Sequence, residues 1–281
     1  MREIPAKLIT EAVSEMCVTA TCLIAEDIRT ALIAAEKVEP AGSLGRGVLD
    51  TLLANAEVAE NKMIPTCQDT GLVVAFVEIG QEVHITGGYI EEAINAGVAD
   101  GYEKGYLRKS VVADPLRREN TKNNTPAVIH YRLTPGDKLK ITISPKGFGS
   151  ENMSALAMLK PSQGLPGIKD FVLQTVKKAG PNPCPPIILG IGVGGSMEKA
   201  AVMAKESLLR PVGTKNADPF WNGIEEDLLA AVNDLGIGPA GFGGRTTALA
   251  VHITPYATHI AGLPVAVNVG CHATRHAERI L

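Results

Sequence analysis

The stretch Pro186-Ile-Ile-Leu-Gly-Ile-Gly-Val-Gly-Gly-Ser196 decides the fold class of this chain. It begins as an apolar run of strand length, and the following residues, Ser196 to Leu209, place apolar side chains at helical spacing. Another helical pattern, Gly167 to Ala179, precedes it. Because a strand between two helices is typical of α/β proteins, the sequence predicts a sheet packed with helices.

The glycines of this stretch, Gly190 to Gly195, match the G-x-G-x-x-G pattern of dinucleotide-binding turns. Such a site also needs an acidic residue about 20 positions further on. That position falls within Leu209 to Lys215, which contains no acid. A NAD-binding dehydrogenase is therefore only a distant alternative. A tight strand-to-helix turn, or a cradle of N–H groups for an anion or a cluster sulfur, are the other interpretations.

The pattern along the rest of the chain predicts one domain with two parts. Residues up to about 65 read as helices, with a turn at 40–43, and residues from about 66 to 281 read as a mixed β-sheet packed with helices. We expect 127–133 and 139–144 to form an antiparallel pair. No internal repeat is visible in the sequence. The other predicted elements are strands at 73–79, 83–86, 246–253 and 263–269 and helices at 88–105 and 220–235.

Composition excludes several classes of protein. The 281 residues are 45% hydrophobic and 20% charged, with a formal net charge of −3, which argues against a nucleic-acid-binding protein. We find no apolar run near the ~20 residues that span a bilayer. The N-terminus lacks the apolar core of a secretion signal, so we expect a cytoplasmic protein that does not enter a membrane. Five cysteines, an odd number, do not indicate a disulfide framework.

Three cysteines stand in turn-like sequence beside apolar strands. They are Cys67 in Ile64-Pro-Thr-Cys-Gln-Asp-Thr-Gly71, Cys184 in Pro181-Asn-Pro-Cys-Pro-Pro186 and Cys271 in Val269-Gly-Cys-His-Ala-Thr-Arg-His276. No C-x-x-C pair is present, which excludes a zinc ribbon or a ferredoxin pattern. Three separated thiolates suit an iron–sulfur cube with one open iron, although each could also be a plain turn or core residue. Cys17 and Cys22, in a helical segment, are expected in the core.

A few polar residues are further candidates for a site. Arg108 lies in a polar loop, 107–126, in which an arginine fork suits a carboxylate. Asp69 follows Cys67 by two residues and could orient a histidine or a bound hydroxyl. His259 and His272 lie near the last apolar strand, where either a structural or a catalytic role is open.

The three cysteine motifs, in this order, closely resemble those of the class I, iron–sulfur-dependent fumarate hydratase family. Supporting stretches are 110–116, 124–130 and 146–152, and the similarity runs essentially end to end. The chain resembles the α subunit of the two-subunit branch. The closest sibling with different chemistry is the α subunit of L-tartrate dehydratase.

The resemblance implies a 4Fe–4S cluster held by Cys67, Cys184 and Cys271, with the open iron acting as a Lewis acid in the reversible hydration of fumarate to (S)-malate. Gln68, Arg108 and Gly149 then match substrate-binding residues, with Arg108 clamping a carboxylate. Asp69 and His259 match a hydrogen-bonded catalytic pair near the substrate hydroxyl.

The resemblance also implies a partner. The chain ends soon after Cys271, whereas single-chain relatives continue into a second domain that supplies the catalytic base. We therefore expect a β subunit, an α2β2 assembly and a place in the tricarboxylic acid cycle. The expected substrate is fumarate or malate, or a similar hydroxy diacid.

Overall fold

The computed structural model describes residues 1–281 and divides them into two compact units. Unit 1 comprises Met1–Ala25, Ala56–Phe148 and Arg275–Leu281, and unit 2 comprises Glu26–Asn55 and Gly149–Thr274. The helices are α1 Ala6–Cys22, α2 Glu26–Val38, α3 Leu44–Lys62, α4 Ile90–Lys104, α5 Phe148–Glu151, α6 Gly164–Ala179, α7 Met197–Ser207 and α8 Pro219–Asn233. The strands are β1 Arg2–Pro5, β2 Leu72–Gly80, β3 Val83–Thr86, β4 Val128–Thr134, β5 Leu139–Lys146, β6 Ala155–Leu159, β7 Ile187–Gly194, β8 Ala248–Tyr256, β9 Leu263–Gly270 and β10 Ala277–Ile280.

Unit 1 is built on a four-stranded mixed sheet in the order β10-β5-β2-β4. Strand β2 pairs parallel with β4 and antiparallel with β5. The apolar faces of α1 and α4 pack on this sheet, and their side chains join those of β2 and β5 in one core. A small parallel pair, β1 with β3, lies in the same unit.

The three central strands of unit 2 are arranged as in unit 1, but its fourth strand, β6, precedes the others in the chain, whereas β10 follows them in unit 1. The sheet of unit 2 has the order β6-β9-β7-β8, in which β7 pairs parallel with β8 and antiparallel with β9. In both units helix lies between the central strand and the parallel edge strand in chain order, and the antiparallel neighbour follows the edge strand.

The glycine pattern of β7 serves helix packing. Ile187, Leu189, Ile191 and Val193 point into the core formed with α6 and α8. The alternate face carries glycine, and a Cβ on Gly192 would lie 2.1 Å from the carbonyl oxygen of Ala200 in α7. Gly190 and Gly192 thus lie inside the strand, where they let the helix backbone approach, and they do not form a nucleotide-binding turn.

The predicted α/β class, with a mixed sheet packed with helices, is confirmed. The predicted pairing of the strands at 127–133 and 139–144 is wrong, because β2 lies between β4 and β5. The reason is burial: β2 is almost continuously buried, as a central strand is, whereas β4 is largely exposed and takes an edge. Three short strands, β1, β6 and β10, were not predicted.

The helices near the N-terminus do not form a layer of their own. Helix α1 packs in unit 1, α2 belongs to unit 2, and α3 crosses from unit 2 into unit 1. The division into one domain with a helical part at about 1–65 stays a prediction.

One stretch, Ala6–Val38, is long and apolar enough to cross a membrane by length and composition, with a mean hydropathy of 1.5. Half of its 18-residue apolar window is buried inside the protein, and the stretch comprises two helices, α1 and α2, with a break at residues 23–25. A buried core helix passes the same test, so this stretch is weak evidence for a membrane span.

A polar cluster is buried beside the sheet of unit 2. Glu225 on α8 accepts two hydrogen bonds from Arg210, one from the backbone N–H of Ile253 and one from Asn216. His252 on β8 is 2% exposed, and its Nδ1 lies 3.2 Å from the carbonyl oxygen of Ser207. Burial, followed by the charge of Arg210, lowers the pKa of His252 from 6.5 to about 4.

Replacing Gly192 with alanine should destabilise the protein by about 3 kcal/mol or more, because the new methyl group meets the backbone of α7. The control is Gly223→Ala in α8, where a Cβ meets nothing within 4 Å and where alanine should stabilise the helix by about 0.5–1 kcal/mol. Thermal and denaturant unfolding measure both changes. Equal stability of the two variants would contradict the packing role of Gly192.

Stability should fall in acid through His252. Its folded pKa of about 4 lies below the unfolded value, so the unfolded chain binds a proton first as the pH drops from 6.5 toward 4. Between pH 7.5 and pH 5, the unfolding free energy should fall in both proteins. The fall should be about 2 kcal/mol smaller for His252→Asn than for wild type. Denaturant titrations at both pH values measure this difference. The exposed His84→Asn is the control and should follow wild type; parallel behaviour of all three proteins would refute the prediction.

Candidate functional site

The loop that contains Cys67 leads directly into β2 and is fixed around Asp69. The two carboxylate oxygens of Asp69 accept hydrogen bonds from the backbone N–H groups of Gly71 and Phe148, each at 2.9 Å. Leu72 pairs with Lys146, so the end of β5 lies beside this loop. The antiparallel pairing of β2 and β5 thus holds the Asp69 carboxylate in one orientation.

The backbone of the same loop is anchored by two buried side chains. The hydroxyl of Tyr102, on α4, lies 2.7 Å from the carbonyl oxygen of Thr70 and 2.9 Å from that of Gly71. Asn124 donates from Nδ2 to the Gly71 carbonyl at 3.1 Å. Burial raises the pKa of the Tyr102 hydroxyl, which therefore stays protonated and able to donate. The loop is preorganised by partners that are distant in sequence.

Arg108 is tied to this loop through its backbone. Its carbonyl accepts a hydrogen bond from the Thr70 hydroxyl at 3.0 Å, and Asn124 Oδ1 accepts from the N–H groups of Ser110 and Val111. The Arg108 side chain is exposed and forms no ion pair within the chain, whereas its neighbour Lys109 pairs with Glu103. The backbone of Arg108 is therefore bonded to the Asp69 loop, and its exposed guanidinium forms no ion pair.

Gln68 is exposed and lies between Cys67 and Asp69. The Sγ of Cys67 is 3.8 Å from Oε1 of Gln68, and the thiol is partly exposed. Cys67, Gln68 and Asp69 thus lie in one loop of unit 1, and the backbone of Arg108 is bonded to that loop at Thr70.

Cys184 occupies a constrained turn between α6 and β7. Its φ of 56° is in the left-handed region, which side-chain-bearing residues rarely adopt. Its N–H donates to the Pro181 carbonyl at 3.0 Å, and its own carbonyl accepts from Nδ1 of His272 at 3.0 Å. The backbone of Cys184 is thus held by two residues, Pro181 and His272.

Cys271 directly follows β9 at the same edge of the unit 2 sheet. Ile188 in β7 pairs with Gly270 in β9, so the loops at 184 and 271 meet there. The Cys271 carbonyl accepts hydrogen bonds from the N–H and the hydroxyl of Thr274, at 2.9 and 2.7 Å. The hydrogen bond from His272 to Cys184 joins the two loops directly.

Gly149 lies in α5, and a Cβ built on it would be 3.7 Å from the carbonyl oxygen of Asn182. Space alone does not demand glycine at this position. The contact nevertheless places Gly149 next to the turn that carries Cys184.

His259 lies at the other edge of the unit 2 sheet. It is exposed in the connection between β8 and β9, which begins where β7 ends, since Gly194 pairs with Tyr256. The length of β9, about 25 Å at strand spacing, separates this edge from Cys271. His259 lines a cavity of about 420 Å³ together with Phe220, Trp221 and Tyr256. Unit 2 by itself does not bring His259 to the cysteines.

The remaining cysteines behave as the sequence predicts. Cys17 and Cys22 are fully buried, and burial raises the pKa of Cys17 to about 12 and also raises that of Cys22. Such thiols are poor metal ligands, because the thiolate is the form that binds metal.

The donor chemistry of the other three cysteines fits a metal cluster. None forms a disulfide, Cys184 is exposed, and Cys67 and Cys271 are partly exposed. Cys67 belongs to unit 1, and the other two belong to unit 2. No group of three or more His, Cys, Asp or Glu side chains in the structure is arranged to hold a metal ion.

Sequence reasoning missed the residues that anchor the loops. Tyr102, Asn124 and Arg275 are buried, and each binds backbone carbonyls of the 67–71 loop. The one available signal was that Arg275 stands within the Cys271 motif. Nothing in sequence spacing indicates Tyr102 or Asn124.

Comparison with known proteins identifies the family to which the chain belongs. The family model described as Fumarate hydratase (Fumerase) matches residues 10–280. The chain belongs to the fumarate hydratase family. The resemblance found in the cysteine motifs is thereby confirmed, and membership supports a hydro-lyase.

Several similar proteins are named for the dehydration of tartrate and not of malate. The chain is 41% identical over 275 residues to the "Putative L(+)-tartrate dehydratase subunit alpha" of Methanocaldococcus jannaschii, covering 96% of each chain. It is 32% identical over 236 residues to the "L(+)-tartrate dehydratase subunit alpha" of Escherichia coli strain UTI89, covering 83% of this chain and 78% of that protein. The same-named protein of Shigella boydii serotype 4 is 31% identical over 236 residues, with the same coverage.

Proposed function

We propose that this chain is the α subunit of an iron–sulfur-dependent hydro-lyase, with fumarate and (S)-malate as its substrate pair. The observation that carries the proposal is the set of three accessible cysteines, none of them in a disulfide, in a chain that the fumarate hydratase family model matches over 10–280. Each cysteine lies in a loop next to the end of a sheet strand.

Cys67, Cys184 and Cys271 would hold a 4Fe–4S cluster as thiolates. When bound, the cluster would supply a Lewis acid that polarises a hydroxyl or a water molecule. The side chains of this chain offer no other Lewis acid. The chain's own contribution is to fix the three loops by backbone hydrogen bonds before any ligand arrives.

The dicarboxylate would be bound by groups around the Asp69 loop. Arg108 offers an exposed guanidinium with no ion pair in the chain, which suits one carboxylate. Gln68 and Gly149 are proposed as further substrate contacts. Asp69, whose two oxygens already accept backbone N–H groups, would orient the substrate hydroxyl.

His259 is proposed as the partner of Asp69. The two residues belong to different units, and His259 lies at the sheet edge opposite the cysteines of its own unit. Their pairing is supported by the family resemblance.

A β subunit is part of the proposal. Relatives are named as α subunits, which implies a partner of another type. We propose that this partner supplies the catalytic base, that the assembly is α2β2, and that it works in the cytoplasm as a step of the tricarboxylic acid cycle.

Serine at Cys67, Cys184 or Cys271 should remove the cluster and the activity together, because an alcohol is a poor ligand for iron. The protein is purified without oxygen, and iron, sulfide and visible absorption are measured before activity with the β subunit. Cys17→Ala is the matched control and should keep about four irons per chain.

Retained iron in one of the three serine variants would remove that cysteine from the ligand set. An iron-free wild-type complex, assembled with its β subunit under anaerobic conditions, would refute the cluster and with it the proposed function.

A second candidate substrate is L(+)-tartrate, favoured by the names of the relatives. Tartrate carries one more hydroxyl than malate, so a site built to hydrogen-bond that group should reject malate strongly, by 10⁴-fold or more on the order seen for such sites. We expect the αβ complex to turn over fumarate and malate with the higher kcat/KM. The measurement compares malate, fumarate and L(+)-tartrate with one preparation. A preference for tartrate would replace the substrate assignment and leave the hydro-lyase class intact.

A further inference from the structure

Arg275 is a buried arginine in unit 1 whose role neither the family motifs nor the proposed ligand set explains. It is 6% exposed and stands just before β10. Its Nε donates to the carbonyl of Pro145 at 3.1 Å, and its Nη2 donates to the carbonyl of Asp69 at 2.5 Å. One guanidinium thus joins the end of β5 to the loop that precedes β2.

Arg275 is itself held firmly. Its carbonyl accepts a hydrogen bond from the Ser144 hydroxyl at 3.1 Å, and β10 pairs with β5 immediately afterwards. The side chain therefore extends from a fixed backbone, and its two acceptors belong to different segments of the sheet. A planar group with fixed donor directions sets the distance between those segments, which a flexible ammonium does not.

The main chain and the side chain of Asp69 are fixed by separate partners. Arg275 binds the main-chain carbonyl, while the N–H groups of Gly71 and Phe148 bind the carboxylate. Gly147 lies between them, since a Cβ there would be 3.3 Å from Asp69 Oδ2 and 3.7 Å from Arg275 Nη2. Loss of the arginine would release the backbone of Asp69 and leave only its carboxylate held.

The guanidinium is not fully used within the chain. Its Nη1 is buried and forms no hydrogen bond. A buried donor without a partner lowers stability. The contribution of Arg275 to this region therefore comes from the two hydrogen bonds of Nε and Nη2, which hold the backbone at Pro145 and Asp69.

We propose that Arg275 is a positioning residue that sets the backbone of the 67–71 loop and thereby the places of Cys67 and Asp69. The positioning itself follows from contacts in unit 1, and its catalytic meaning rests on the proposed function. Arg275 touches neither substrate nor iron in this proposal and acts through Asp69.

The test uses the full chain without iron or substrate, so that failure of the hydro-lyase proposal does not affect it. The variants are Arg275→Gln, which removes the charge and the fork, and Arg275→Lys, which keeps the charge and one hydrogen bond. Arg279→Gln is the matched control: it lies on β10 and forms an exposed ion pair with Glu15. Hydrogen exchange of peptides covering 67–71 and the rate of Cys67 alkylation by iodoacetamide are followed by mass spectrometry.

We expect Arg275→Gln to speed both exchange at 67–71 and alkylation of Cys67 by about tenfold, and Arg275→Lys to lie between Gln and wild type. Cys184 is the internal reference and should alkylate at the wild-type rate, because its turn is held by Pro181 and His272. Arg279→Gln should match wild type at every site.

Wild-type rates at 67–71 and Cys67 in both Arg275 variants would overturn the proposal. Equal acceleration of Cys67 and Cys184 in Arg275→Lys would overturn it as well, because it would show a general structural role. If Arg275→Gln does not fold, Arg275→Lys decides between these outcomes. In the reconstituted complex, a positioning role predicts a fall in kcat of Arg275→Lys that is larger than its change in KM.

Discussion

Both units depend on one constraint, a central strand that pairs parallel on one side and antiparallel on the other. Because β7 is antiparallel to β9, the beginning of β7 and the end of β9 lie at one sheet edge. The loops at 184 and 271, far apart in sequence, therefore meet. In unit 1 the beginning of β2 meets the end of β5 in the same way, so Asp69 finds the N–H of Phe148. The candidate residues of each unit stand at this edge, except for His259.

Much of the fold could be predicted because the local sequence of each central element shows the hydrophobic pattern of a strand or a helix. The apolar run of β7, the helical period of α7 and the turn before α3 all follow from neighbours in the chain. What failed depends on distant partners. The position of β2 between β4 and β5 is decided by which strand is most buried. The strands β1, β6 and β10 form through pairing with β3, β9 and β5, which local sequence does not show. The glycines of β7 were ambiguous because the helix that crosses them is invisible in a spacing pattern.

The same distinction between local sequence and distant partners applies to the candidate site. The local sequence predicts that Cys67, Cys184 and Cys271 lie in turns beside strands. It also predicts that Cys17 and Cys22 are buried. The partners that fix the 67–71 loop were not readable, because Tyr102 and Arg275 stand 32 and 206 residues from the carbonyls they bind at Thr70 and Asp69. Such contacts are products of the folded sheet. The position of His259 could not be predicted either. Proximity to a strand in sequence does not show at which end of the sheet a residue lies.

The way in which the cysteine loops are fixed agrees with a ligand role. Cys184 is held through its own N–H and carbonyl, and Cys271 through its carbonyl. Cys67 is held through the carbonyls and the carboxylate of the residues that follow it. These bonds set the position of each residue without using its sulfur atom. A core cysteine shows the reverse, since Cys17 is fixed by the packing of its side chain and its thiol is kept from ionising. A loop that is rigid in its backbone and accessible at its sulfur is what metal binding requires, because the loop then needs little reordering when the ligand bond forms.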